Sequence, residues 1–358
     1  MYIYIHVPFC SHICSYCDFP KLLYDKKYIS TYLKALTKEI ETRYQNEEVV
    51  SIFIGGGTPT SLDIEELKQL LEITKLFHKQ EKIEFTVESN VENLTSEKIK
   101  LLHDYGVNRV SLGVQSFQEN TLKELNRHHT NQEVFQVIDM LKQEGITNIS
   151  IDYIYGVNSN LEALKEDLMT FLQLGIPHIS CYSLIIEEGT VFGINQRPYI
   201  DEDLEYQMYK QIETTLTKNH YIHYEISNYA LPGYESIHNL NYWNNGSYYG
   251  FGLGAVSFIH NVRITNTRSI TKYMNLEYVI NEEYESEQIR ISNEFILGLR
   301  KIEGMNIESF QKKYHQDITT LYHVKELLQE KKLILEDNYL KIAPEYLYLS
   351  NEILLQFV

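Results

Sequence analysis

Cysteine is scarce in this 358-residue chain: there are four, and three of them are Cys10, Cys14 and Cys17. Secreted proteins spread cysteines as disulfide staples, so this crowding excludes a disulfide scaffold and reads as a ligand set in a reducing compartment. Basic residues are also in deficit, with 32 Lys and Arg against 49 Asp and Glu, a formal net charge of −17 and a pI near 5.2. That balance argues against a nucleic-acid partner gripped by electrostatics, and the C-terminal segment has no basic stripe with interleaved aromatics. No apolar run approaches the roughly 18 residues a membrane-spanning helix needs. The opening MYIYIHVPFC has no basic n-region and contains His6, so it is not expected to act as a secretory signal. The expectation is a cytoplasmic protein with membrane contact at most peripheral. No internal repeat or low-complexity tract is present.

What is there is ordinary in bulk, 43% hydrophobic and 23% charged, and long enough for one large domain and a smaller one. Short β-branched or aromatic runs predict strands near Tyr2–Val7, Val50–Ile54, Ile83–Glu88, Arg109–Val114, Ile149–Ile154 and His178–Leu184. Between them lie helical patterns with start and stop signals. One follows Ser61 or Asp63, one runs from Thr95 to Gly106, one from Asn131 to Gly145 and one from Leu161 to Gly175. Six strand–helix units in series imply a parallel sheet with right-handed crossovers. In such sheets reactive groups gather at the carboxyl ends of the strands. The cysteines follow the first strand, Gly55-Gly56-Gly57 the second, Glu88 ends the third, Gln115 the fourth, and Asp152 lies late in the fifth. Tyr221–Gly254 reads as a structured loop region, and a hairpin is expected at Leu333–Ile342, broken by Asp337-Asn338.

Cys10, Cys14 and Cys17 are spaced C-x3-C-x2-C. Thiolates suit iron–sulfur clusters, and three in one tight loop leave the fourth iron of a cubane open to an exogenous ligand. The alternative is a structural zinc site completed by His12 or Cys181, although Cys181 in HISCYSL reads as a core cysteine.

The motif with an aromatic at Tyr16 resembles the signature of radical SAM proteins. The wider string Tyr4-Ile5-His6-Val7-Pro8-Phe9-Cys10 is similar to one branch, the oxygen-independent coproporphyrinogen oxidases and their haem-chaperone relatives of the HemW type. The likeness continues through GGGTPT (55–60), GVNRVSLGVQSF (106–117), NRHHT (126–130), DYIYG (152–156), YEISNYA (224–230), HNLNYW (238–243) and LGLRKIEG (297–304).

The resemblance implies an α/β fold, a partial (β/α)6 radical SAM barrel over residues 1–220. It would be followed by a Tyr/Asn/Gly-rich connecting region over 221–281 and a small helical or winged-helix-like domain over 282–358. It implies a [4Fe–4S] cluster on Cys10, Cys14 and Cys17, with S-adenosylmethionine (SAM) on the fourth iron and reductive cleavage of SAM to a 5′-deoxyadenosyl radical. Tyr4, Gly56 and Glu88 would serve the first SAM site, Gly56, Gly57 and Thr58 suit the methionine amine and its surroundings, and Tyr16 is a further candidate SAM contact. Gln115, Arg127 and Asp152 match positions that contact a second SAM in the oxidase. Read alone, Arg127 is a surface charge.

Two readings of activity follow. The oxidase branch carries a further cysteine two residues after the third, where this chain has Phe19; the Asp18-Phe19 pair resembles the HemW type, regarded as binding haem and passing it to haem-dependent proteins. His238 in HNLNYW would then be the axial haem ligand; the alternative for it is a hydrogen-bonded structural histidine. The second reading is radical decarboxylation of coproporphyrinogen III to protoporphyrinogen IX. A flavodoxin or ferredoxin is the expected reducing partner. Val91 replaces a proline common in the family, and Val157-Asn158 replaces the usual Leu-Pro; neither removes a ligand.

Overall fold

The computed structural model describes residues 1–158 and 160–358. Six strands, β1 (Tyr2–Val7), β2 (Val49–Gly56), β3 (Lys79–Asn90), β4 (Arg109–Gln115), β5 (Asn148–Tyr155) and β6 (His178–Ser183), pair in parallel in sequence order. Helices α1 (Lys26–Arg43), α2 (Ile64–Ile73), α3 (Ser96–Asp104), α4 (Asn131–Gln143) and α5 (Leu161–Leu174) connect them. The helix ends match their local signals. Asp63 and Thr130 close capping boxes with Glu66 and Glu133, Thr95 and Asn160 cap α3 and α5, and Gly175 ends α5 at a φ of 57°.

Strand side chains alternate between faces. Ile3 and Ile5, Ile52 and Ile54, Phe85 and Val87, Val110 and Leu112, and Ile149 and Ile151 lie in the apolar core shared with the helices. The alternate positions are polar: Tyr4 and His6, Ser51, Glu84 and Glu88, Arg109 and Ser111, Ser150 and Asp152, His178 and Ser180. This polar face is the interior of the rolled sheet, crossed by the Ser111–Asp152 and Ser150–His178 hydrogen bonds.

Residues after 221 depart from the expected loop region. Tyr249–Phe251 adds a parallel strand outside β1, and Asn228–Ala230 with Ile222–Glu225 adds two antiparallel strands beyond β6, so the sheet has nine strands. HNLNYW lies on a helix, α6 (Ile237–Trp243), whose N-terminus is capped by Ser236. The added strands have only three or four residues, too few to show an alternating pattern. Val256–Ile259, Val262–Asn266 and Val279–Tyr284 form a separate antiparallel sheet whose last strand runs across position 282. A second apolar core, including Phe295, Phe310 and Phe357, gathers residues 291–357. The hairpin there pairs Leu333–Glu336 with Tyr339–Ile342, and Asp337 and Asn338 turn it at φ of 49° and 67°.

Candidate functional site

The loop after β1 carries the three cysteines along the carboxyl rim of the sheet. None forms a disulfide; Cys10 is buried and Cys14 and Cys17 are half-buried. Each has a polar neighbour of its own. Thr58 Oγ1 lies 3.8 Å from Cys10 Sγ, Arg127 Nη1 lies 3.6 Å from Cys14 Sγ, and Lys21 Nζ donates to the Cys17 carbonyl. Burial pushes the Cys10 thiol up to about 12 against the lowering effect of Thr58, and burial raises Cys17 as well. A bound cluster would hold these sulfurs as thiolates.

The donor set fits a cubane. Three thiols free of any disulfide in one loop are soft donors for three corners of such a cluster. Cys181, the other thiol, belongs to the apolar core outside the sheet, away from the role of a fourth zinc ligand.

The glycine turn ending β2 is shaped by close approach. A side chain on Gly55 would come within 2.5 Å of Glu88 Oε2, and one on Gly57 within 2.8 Å of the Phe9 carbonyl; Gly56 has a φ of 106° and lies against the His6 ring. The amides of Gly56, Gly57 and Thr58 donate to Glu88, Val7 and Phe9 at 2.9, 2.8 and 2.7 Å. Their N–H groups are thus spent inside the protein, and contacts to a ligand fall to carbonyls. This role of packing was not visible in the run of glycines itself.

Tyr4, Glu88 and Asp152 all project into the polar interior. The Tyr4 hydroxyl is 2.9 Å from His6 Nδ1, and His6 Nε2 is 2.8 Å from the Pro20 carbonyl, so Nε2 donates to the carbonyl and Nδ1 accepts from Tyr4. Burial lowers His6 to about 4, which keeps the ring neutral. Burial, reinforced by the Asp152 charge, raises Glu88 to about 7, and burial also raises Asp152 despite the Ser111 hydrogen bond. Arg109, 2% exposed, lies in the same interior, and its Nε has no hydrogen-bond partner among the described residues. Sequence reading missed His6, Asn90 and Arg109; the signal was the polar alternation within strands that are buried on both faces.

Gln115 closes β4 at a φ of 69°, in the left-handed region, next to a register shift against β5. Gly113 leaves a gap there. A Cβ on it would stand 3.0 Å from Gln115 Nε2, 3.1 Å from Asn90 Oδ1 and 3.6 Å from Arg127 Nη2. Gln115 and Arg127 both border this gap, and Arg127 is only 3% exposed, not a surface charge. Tyr16 packs against Leu125, Ile154, Val157, Leu184 and Phe192 beside the cysteine loop.

His238 is placed elsewhere, at the opposite end of the interior from the cysteines. Its Nδ1 is 2.9 Å from Ser51 Oγ and its Nε2 2.9 Å from the Tyr242 hydroxyl, while Glu84 accepts the amides of Ile237 and His238 at 3.0 and 2.9 Å. The side chain is buried and burial lowers its pKa to about 3. Both ring nitrogens are engaged, the arrangement of a hydrogen-bonded structural histidine; binding haem iron would require Nε2 to give up the Tyr242 hydroxyl.

A profile of the radical SAM superfamily, a family that implies a [4Fe–4S] cluster and SAM, matches residues 4–171. The chain is 40% identical to a protein of Lactococcus lactis subsp. lactis (strain IL1403) named heme chaperone HemW, over 99% of this chain and 96% of that one. Identity to proteins of the same name is 38% in Bacillus subtilis (strain 168), over 92% of each chain, and 35% in Escherichia coli (strain K12), over 77% of this chain and 76% of that one. The solved structure of coproporphyrinogen III oxidase (HemN) from Escherichia coli superposes with a TM-score of 0.87 over 99% of this chain and 89% of that one; at 19% identity this is a likeness of fold. No helix among the described residues is long and apolar enough to cross a membrane. With its cysteine loop at the rim of a six-stranded parallel barrel sheet and near-full-length identity to these relatives, the chain belongs to the HemW family of radical SAM proteins.

Proposed function

We propose that this chain is a haem chaperone, which binds a [4Fe–4S] cluster, SAM and haem and passes haem to haem-dependent proteins. The observation that carries the reading is the identity of 40% spread over 99% of the chain to a relative named for that role. Cys10, Cys14 and Cys17 would hold the cluster, which supplies low-potential one-electron chemistry when bound. Tyr4, Tyr16, Glu88 and the carbonyls of the glycine turn would position SAM beside it, with Gln115 and Asp152 lining the same interior. A flavodoxin or ferredoxin is the reducing partner we propose.

The surface around the cysteine loop supports a flat apolar ligand better than a polar one. Phe19, where the oxidase branch has a cysteine, is 64% exposed, and Ile185 and Ile194 are 65% and 71% exposed. The segment carrying the last two is tied to the cysteine loop by the Phe192 amide, which donates to the Ser15 carbonyl at 3.1 Å. A porphyrin plane buries this kind of surface.

The test is anaerobic reconstitution followed by a haem titration of the Soret band, transfer to a haem-free acceptor protein, and an assay of coproporphyrinogen III with SAM and reductant. Stoichiometric haem uptake and transfer without porphyrinogen turnover is expected. Robust turnover with no haem uptake would reverse the reading in favour of the oxidase.

A further inference from the structure

Arg127 has a geometry that a second-SAM contact does not require. The segment Leu125–Arg127 is laced to the cysteine loop on both sides of Cys14. The Ser15 amide donates to the Leu125 carbonyl at 3.2 Å, and Asn126 Nδ2 donates to the Ile13 carbonyl at 2.7 Å. Between these two bonds Arg127 Nη1 stands 3.6 Å from Cys14 Sγ. Nη2 is held by the Gly113 carbonyl at 2.5 Å and lies 3.7 Å from Glu92 Oε2. Glu92 also faces His12 Nε2 at 3.4 Å and His129 Nδ1 at 3.9 Å. The guanidinium is thus buried, fixed at one end by backbone, and aimed at the Cys14 sulfur.

We propose that Arg127 is a positioning residue for the cluster, donating to the Cys14 thiolate and holding the reduction potential of the [4Fe–4S] centre up. This rests on the reading of the three cysteines as cluster ligands. A hydrogen bond to a ligand sulfur and a positive charge beside it both favour the more negative, reduced cluster, and hydrogen bonds to sulfur are among the levers that set such potentials. Water is largely excluded around a side chain this buried, so the field is weakly screened. Glu92 opposes it: its carboxylate draws on the same guanidinium and adds negative charge nearby. The step concerned is the gain of one electron by the cluster from a low-potential donor, with no proton transferred.

The test compares wild type, Arg127→Met, Arg127→Lys and Glu92→Gln, each reconstituted without oxygen and without SAM. Iron and sulfide are counted, and the midpoint is read by potentiometric titration with electron paramagnetic resonance. For Arg127→Met we expect the ratio of reduced to oxidised cluster at a fixed potential to fall at least tenfold, which is about 59 mV for a one-electron couple. Arg127→Lys should recover part of this, and Glu92→Gln should shift the midpoint upward. An unmoved midpoint in Arg127→Met with full iron and sulfide overturns the proposal, as does a shift that emerges only when SAM is added. If Arg127→Met retains no cluster, Glu92→Gln decides: an upward shift supports the proposal and an unmoved midpoint overturns it. A wild type that takes up no iron and sulfide overturns the cluster reading together with this one, whereas full wild-type uptake isolates the Arg127 result.

Discussion

The carboxylate of Glu88 accepts the amide proton of Gly56 at 2.9 Å, joining the end of the third strand to the glycine turn after the second. The two residues are 32 positions apart, and neither holds its place alone. Gly55 and Gly56 allow the carboxylate and the His6 ring to approach the turn, and Glu88 in turn satisfies a buried amide.

Glu88 makes the stability of the apoprotein depend on pH in a defined direction. Its folded value of about 7 lies above the ordinary 4.5, chiefly through burial. Between those values the folded state keeps a proton that the unfolded chain has released. The contribution is therefore fully present below 4.5 and is lost as pH rises through about 7. His6 and His238, lowered to about 4 and about 3, work in the opposite sense: their contribution is present above 6.5 and is lost as pH falls through those values. The readout is thus the difference between wild type and Glu88→Gln in urea unfolding from about pH 4.5 to about pH 8. Glu88→Gln should gain stability relative to wild type as pH rises across this window. A constant difference would refute the burial of an ionisable carboxyl at this position.

Gly56→Ala should be among the most damaging single substitutions in the chain. The residue has a φ of 106°, and the new methyl group would collide with the His6 ring, displacing a side chain held by Tyr4 and Pro20. Strain in this backbone region and overpacking each cost about 1–3 kcal/mol, so a loss of roughly 2–6 kcal/mol is expected in chemical unfolding. Iron uptake on reconstitution should fall with it. Gly106→Ala is the control, since its φ of 84° is strained but no neighbour lies within 4 Å.

His238→Ala should behave as a lesion in the barrel interior. It leaves the Ser51 and Tyr242 hydroxyls without their shared partner in a buried setting. The expected cost is about 1–3 kcal/mol per orphaned group. The folded variant should keep the Soret band of bound haem. Loss of that band at unchanged unfolding midpoint would assign His238 as an iron ligand.

Replacing Cys10, Cys14 or Cys17 by alanine should abolish stable cluster uptake, whereas Cys181→Ala should retain full iron and sulfide. Cys181 is buried in the apolar core outside the sheet, so its loss should appear as about 1 kcal/mol of stability and nothing in the metal count. An intact cluster in Cys14→Ala, or a depleted one in Cys181→Ala, would move the ligand set to other residues.

Much of the site was legible in the linear order of residues because the signals are local. Strand propensity and helix caps such as Asp63 and Thr130 act over a few residues, and a parallel sheet then carries the cysteines, Glu88, Gln115 and Asp152 to one rim. The left-handed turn at Asp337-Asn338 is equally local. By itself, then, the amino-acid sequence determined the six-stranded core, the cysteine loop and the ends of the helices.

Only the tertiary structure decided which groups surround Arg127, His238 and the glycines. Arg127 takes its partners from Cys14, Glu92 and Gly113, and His238 takes its own from Ser51 and from Tyr242 one turn along its helix. Gly55 and Gly56 are explained by Glu88 and His6. Burial of a charge or an imidazole depends on which distant groups close around it, and no spacing along the chain encodes that enclosure. The short strand Tyr249–Phe251 likewise exists because β1 offers it an open edge, not because three residues prefer to be extended.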